Sequence, residues 1–275
     1  MSVIRPPSVA NIFYPGDPQI LAQEIDNLFM KTKPESIDGS IVALILPHAG
    51  YQYSGHIAAT GYSLLKKSTF DTVVIVSPSH REYFSGISIF KGTAYRTPLG
   101  ELLVDEYRRR ELLSNDPIIE ESQRGHGPEH AIEVQLPFIQ KVFKEIKILP
   151  IVMGDQRREL CFHLGQRLGE VLQGTNTLLI ASTDLSHYYP YKEAEALDKI
   201  VIDDIERFDY EQLMSHLETQ HAEACGGGPT VSILIAANKL GANRVKILSH
   251  CNSGDVTGDR SAVVGYLSAV VYRAN

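Results

Sequence analysis

Three histidines of this chain stand directly after apolar stretches of strand length. ILPHAGY carries His48, VSPSH carries His80, and ASTDLSH carries Asp184 and His187. A single histidine in such a place is more often a capping or core hydrogen-bonder than a ligand. Three on separate strands, all at strand ends, point instead to one shared site. Pro47 and Pro78 stiffen the first two turns, while Ala49, Gly50 and Ser79 leave room for close approach. Asp184, three residues before His187, is spaced to accept a hydrogen bond from its imidazole and fix the tautomer, an acid/base arrangement suited to neutral pH.

A fourth reactive group joins them. In AEACGGGPT, Cys225 lies beside three glycines and ahead of a helix start, where backbone donors and the helix dipole favour thiolate over thiol. Cys161 and Cys251 have no such setting and read as small buried hydrophobes. Two neutral imidazoles and a thiolate form a ligand set that suits zinc, iron or copper and leave a coordination position open for substrate or water. A structural zinc site would use close-spaced pairs, and the chain contains no C-x-x-C.

The segment GHGPEHAIEVQLPF packs His126, Glu129, His130 and Glu133 together at the expected start of an amphipathic helix. Either its polar face is solvated, or it lines the pocket, with His130 and Glu133 orienting a ligand. Tyr51 and Tyr53 stand beside His48, and Tyr188, Tyr189 and Tyr191 beside His187, as candidate pocket lining. The acidic loop SGDVTGDR, with Asp255 and Asp259, is accounted for by turn chemistry.

The elements that must position these groups are legible in the apolar periodicity. Runs at Ile41–Pro47, Thr72–Ser77, Ile146–Val152 and Thr177–Ser182 each precede a loop and a segment of helical spacing. The alternation predicts an α/β sandwich with a largely parallel central sheet, the site lying at the carboxyl ends of the strands. A helix near Lys192–Arg207 and another from Pro229, stopped by Gly241, follow. Stretches at Arg244–Ser249 and Ala262–Tyr272 suggest an antiparallel edge. With no repeat or linker, residues 1–275 read as a single domain.

Composition excludes several classes. At 43% hydrophobic and 21% charged the chain is globular, and its 275 residues can bury a core without a structural metal. A net charge of -7, with no basic block longer than Arg108–Arg110, argues against nucleic acid. No apolar run is long enough to span a bilayer. An odd cysteine count of 3 and no signal sequence point to the cytoplasm.

The motifs PHAGYQYSGHIAA, SPSH, PEHAIEVQLPF, STDLSHY, ACGGGP and GDRSAVVGYLS, in this order, resemble those of the Memo family, known from a human mediator of receptor-driven cell motility and from microbial relatives. That family in turn resembles the class III extradiol dioxygenases, which hold non-haem iron with two His and a Glu. The resemblance implies an α/β sandwich with a metal at the positions matching His48, His80 and Cys225, and with Asp184 and His187 beside it. Cys225 stands where the dioxygenases have Glu, and a thiolate is softer and more oxidisable. Iron or copper binding, redox activity and phosphotyrosine-peptide binding are attributed to the family's pocket. Neighbouring radical-SAM and AMMECR-type proteins in microbes imply a shared pathway.

Three functions remain open from sequence. One is a redox metalloenzyme acting on a small molecule, with His187 as acid/base. The second is a metal-independent Cys–His hydrolase, with Cys225 as nucleophile and its glycines as oxyanion hole. The third is a module that binds a peptide or small ligand without reaction.

Overall fold

Apolar runs without polar alternation need cover on both faces, and four such runs form the centre of one sheet. A computed structural model describes residues 3–33 and 35–275. The strands are β1 (Ile4–Arg5), β2 (Gly39–Leu46), β3 (Thr72–Pro78), β4 (Ile87–Phe90), β5 (Ala94–Thr97), β6 (Gly100–Leu103), β7 (Ile119–Ser122), β8 (Lys147–Met153), β9 (Thr177–Ser182), β10 (His187–Tyr189), β11 (Arg244–Asn252) and β12 (Val263–Ala274). The α-helices are α1 (Pro18–Lys31), α2 (Tyr51–Ser63), α3 (Glu106–Leu113), α4 (Leu136–Val142), α5 (Arg158–Val171), α6 (Tyr191–Glu206), α7 (Tyr210–Glu218), α8 (Gly227–Lys239) and α9 (Ser253–Thr257).

The main sheet runs β10-β12-β2-β9-β3-β8-β4-β7, with β11 also paired to β12. Its centre, β2-β9-β3-β8, is parallel throughout. Every residue of β3 and β9 is buried, as continuous apolar strands require. Helix α2 packs against β2, β11 and β12, with α1 and α4 stacked on it. Helix α8 packs against β2, β3 and β9 and is backed by α5 and α7. The fold is therefore the expected mixed α/β arrangement, and among the described residues no helix is long and apolar enough to cross a membrane. A second sheet, β1-β5-β6, carries the first described residues.

Two expectations change. The late antiparallel pair exists, but β12 is interior, running between β2 on one side and β10 and β11 on the other. The GHGPEHAIEVQLPF segment is not the start of an amphipathic helix with a solvated face. It is an irregular loop, a 3-10 turn at Glu133–Gln135 and then α4, with His126, Glu129, Glu133 and Gln135 all buried. Helical spacing is satisfied there because both faces are covered, a state that periodicity alone does not separate from amphipathicity.

Candidate metal centre

The carboxyl ends of adjacent parallel strands deliver the site, as the crevice rule for open sheets requires. His48 follows β2, His80 follows β3, Asp184 follows β9, and Cys225 closes the group from the N-terminal side of α8. The ligand atoms of His48, His80 and Cys225 all lie within 4.8 Å of one another, and those of His80, Glu129 and His130 form a second such group.

Hydrogen bonding fixes which nitrogen of each imidazole is free. The Ser182 hydroxyl donates its one proton to Ala131 O at 2.7 Å, so toward His48 Nδ1, 3.0 Å away, it acts as acceptor. His48 therefore carries its proton on Nδ1 and leaves the Nε2 lone pair facing Cys225 Sγ at 3.2 Å. Burial, and then the neighbouring His80, push the His48 pKa well below the usual range, so the ring stays neutral. His80 follows the same logic: its Nδ1 lies 3.0 Å from Glu129 Oε1, and its backbone N–H donates to Oε2 at 2.5 Å. Burial opposes ionisation of Glu129, but its bonds from His80 and Ala131 outweigh it and bring the carboxyl down to about 2. An ionised acceptor draws the ring proton to Nδ1, the tautomer in which Nε2 of His80 is the lone-pair nitrogen. Both imidazoles are thus in the tautomer that metal-bound histidines adopt when a carboxylate or hydroxyl holds the far side.

The His130 ring stands 5.3 Å from that of His48 and 4.7 Å from that of His80, centroid to centroid. Burial, then His48, lower its pKa to about 3. Its buried Nδ1 lies 3.3 Å from Glu129 Oε1 in a geometry that makes no hydrogen bond, and it has no other partner among the described residues. An orphaned imidazole nitrogen beside two lone-pair nitrogens and a thiol is a donor set with unused capacity, and it fits a metal ion.

A family model described as Memo-like protein matches residues 5–270, a span that contains every residue of the candidate site. A MEMO1 family protein of Methanosarcina mazei is 39% identical over 98% of this chain and 99% of its own length. One from Sulfolobus acidocaldarius is 38% identical over 97% of this chain and 98% of its own. The chain belongs to the Memo-like family. A crystal structure of an uncharacterized protein from Escherichia coli K12 covers 84% of this Memo-like chain and 99% of its own at TM-score 0.54, a likeness of fold alone at 14% identity.

Several assignments shift within this Memo-like site. Asp184 does not hold His187: its Oδ1 accepts the His48 backbone N–H at 2.8 Å, and Oδ2 is 4.0 Å from His48 Nε2. The carboxylate facing His187 is Glu223, whose Oε1 accepts the His187 backbone N–H at 3.1 Å and lies 3.6 Å from Nδ1. Pairing of β10 with β12 sets this arrangement by holding His187–Tyr189 as a short strand. Tyr189 adds a bond from its hydroxyl to Glu223 Oε2 at 3.0 Å. Glu133 is not at the site but in a buried cluster with Arg5, Ser8, Val9 and Tyr14. Tyr51 is core, packed on Tyr14 and Phe138 with its hydroxyl on Val134 O, while Tyr53 is half-buried on the first turn of α2.

Cys225 also corrects its expected chemistry. Burial, followed by the charge of Asp184, pushes its thiol up rather than down. The glycine N–H groups are spent: Gly226 on Thr183 Oγ1 at 3.0 Å, Gly227 on Ala224 O at 3.0 Å and Gly228 on Gln156 Oε1 at 2.8 Å. What the glycines supply is room. A Cβ on Gly226 would stand 2.2 Å from Ser182 O, so only glycine lets α8 start against the end of β9. Ser182 and Gln135, whose amide reaches both Pro47 O and Ser182 Oγ, carry no signal in the sequence because they act through neighbours. Only the -EH- pair inside the singled-out segment hinted at Glu129.

Proposed function

We propose that this chain binds one metal ion, iron or copper, through Nε2 of His48, Nε2 of His80 and Sγ of Cys225, and works as a redox enzyme on a small molecule in the cytoplasm. The observation that carries this reading is the pair of imidazoles whose Nδ1 sides are both occupied, leaving two Nε2 lone pairs grouped with one thiol. A bound iron or copper ion would supply one-electron chemistry and Lewis acidity. The chain's own groups do the rest. Ser182 and Glu129 hold the two imidazoles in tautomer and orientation. His187, faced by Glu223, is placed to accept or return a proton. His48 and Asp184 are buried beside the half-buried Cys225, which limits the access of bulk water to the thiol.

The hydrolase alternative is disfavoured by the same geometry. A metal-independent cysteine nucleophile needs a lowered pKa and free backbone donors. Here the thiol is pushed up, and all three glycine donors are taken.

Metal analysis of protein purified without oxygen is the direct test. About one equivalent of iron or copper in wild type, lost in Cys225→Ala, is the expected result. Wild type free of metal and unable to take it up from solution would sink the reading.

A further inference from the structure

The site divides into two halves with different anchors. His48 and Cys225 are held by Ser182 and by Asp184, both on or just after β9 in the packed sheet. The hydrogen bonds of His80 among the described residues go to Glu129 alone, and Glu129 sits in the irregular loop that leads to the 3-10 turn. Regular structure does not fix that loop, so something else must.

Arg5 does. Its residue is 4% exposed, and its guanidinium donates from Nε to His126 O at 2.9 Å and from Nη2 to Gly127 O at 3.0 Å and to Glu129 O. Three carbonyls of one loop are thus gathered on one planar fork, a geometry that lysine's single ammonium does not reproduce. Nη2 is shared with Ser8 Oγ at 2.9 Å, and Nη1 reaches Pro6 O at 3.2 Å and the Glu133 carboxylate. Glu133 in turn accepts from Ser8 N at 2.8 Å, Val9 N at 3.0 Å and Tyr14 OH at 2.5 Å, closing segment 5–14 onto the 3-10 turn. The same segment places Phe13 against the His130 ring, with centroids 4.8 Å apart, and offers Phe13 O to Tyr51 N at 2.8 Å, the first residue of the helix that follows His48.

We propose that segment 5–14 is a clasp that completes the metal site, with Arg5 as a positioning residue that sets His80 through Glu129. This rests on the metal-binding reading above and adds a dependence that reading does not contain. The bonds of Arg5 to this loop end on the backbone of His126, Gly127 and Glu129, the last being the residue whose carboxylate holds His80. The clasp also predicts a split: loss of Arg5 loosens the His80 half and spares the His48–Cys225 half.

The test uses the full chain and Co(II) as the probe. Arg5→Lys and Arg5→Ala should weaken Co(II) binding on the order of tenfold or more, the range for partners that orient a metal-bound histidine, while the near-ultraviolet thiolate-to-cobalt band of Cys225 persists. Asp204→Asn, which removes the charge from the part-buried pair with His216 between α6 and α7, is the control for general destabilisation and should leave Co(II) affinity unchanged. Millimolar methylguanidinium should restore binding to Arg5→Ala. If Arg5→Ala fails to fold because Glu133 is left buried and unpaired, Arg5→Met/Glu133→Gln removes both charges and carries the same expectation. Wild-type affinity in the Arg5 variants, or an equal loss in Asp204→Asn, overturns the clasp and leaves the metal reading standing. No Co(II) binding by wild type overturns the metal reading, and the clasp falls with it.

Discussion

A thiol withdrawn from water and facing a carboxylate keeps its proton, and Cys225 is in that position beside Asp184. Binding a cation through Sγ must then release that proton, whereas His48, its pKa lowered, is already neutral and releases none. Below the raised thiol value the apparent metal affinity should rise about tenfold per pH unit. Calorimetry in buffers of different ionisation enthalpy reads the released proton directly, and an affinity flat between pH 6 and 8 would exclude thiolate ligation. His48→Ala, His80→Ala and Cys225→Ala should each abolish stoichiometric metal in elemental analysis, with Cys161→Ala unchanged because that thiol bonds Gln156 O and belongs to neither group of ligand atoms. His187→Ala should keep its metal and lower turnover on the order of a hundredfold. Glu223→Gln should lower it more than Asp184→Asn does through His187, since Glu223 is the carboxylate that faces that ring. Equal occupancy loss in His187→Ala would make it a ligand instead.

At the scale of elements, the site depends on how closely α8 approaches β9. Gly226→Ala puts a methyl about where Ser182 O already is, at 2.2 Å, and backbone cannot yield as a flexible side chain does. The start of α8 must retreat and carry Sγ away from His48. We expect this variant to lose metal affinity by at least tenfold, the order seen when supports of a site are disturbed, and to melt several degrees lower. Retained affinity by Co(II) titration would show that Cys225 does not rely on this contact. The Tyr188 backbone adds a second local constraint, since a non-glycine residue at φ 66 is strained and this one sits between His187 and Tyr189 at the bulge of β10.

Across the whole molecule, the core is built independently of any cation. The buried apolar side chains form one cluster through both faces of the sheet, from Val9 to Val271. Metal removal should therefore leave the far-ultraviolet circular dichroism spectrum intact and lower the stability only by the linkage term, about 2.7 kcal/mol at a hundredfold excess over Kd. Unfolding on chelation, as in small zinc domains, would contradict a core that stands alone.

The sequence by itself determined the parallel strands, because continuous apolar runs between turn signals have few other uses. It also determined that His48, His80, Asp184 and His187 stand at strand ends and that Cys225 precedes a helix, since those are facts of order along the chain. Whether the thiol rises or falls, which carboxylate faces His187, and whether Glu133 or Glu129 reaches the site depend on three-dimensional packing. Glu129 and Glu133 lie four residues apart and differ only in which neighbour the irregular loop turns them toward, His80 or Arg5. Arg5 reads as an ordinary cation near the chain's first residues until the fold brings three carbonyls from more than a hundred residues away onto its guanidinium. Burial and long-range hydrogen bonds are properties of the folded volume, and local pattern carries no record of them.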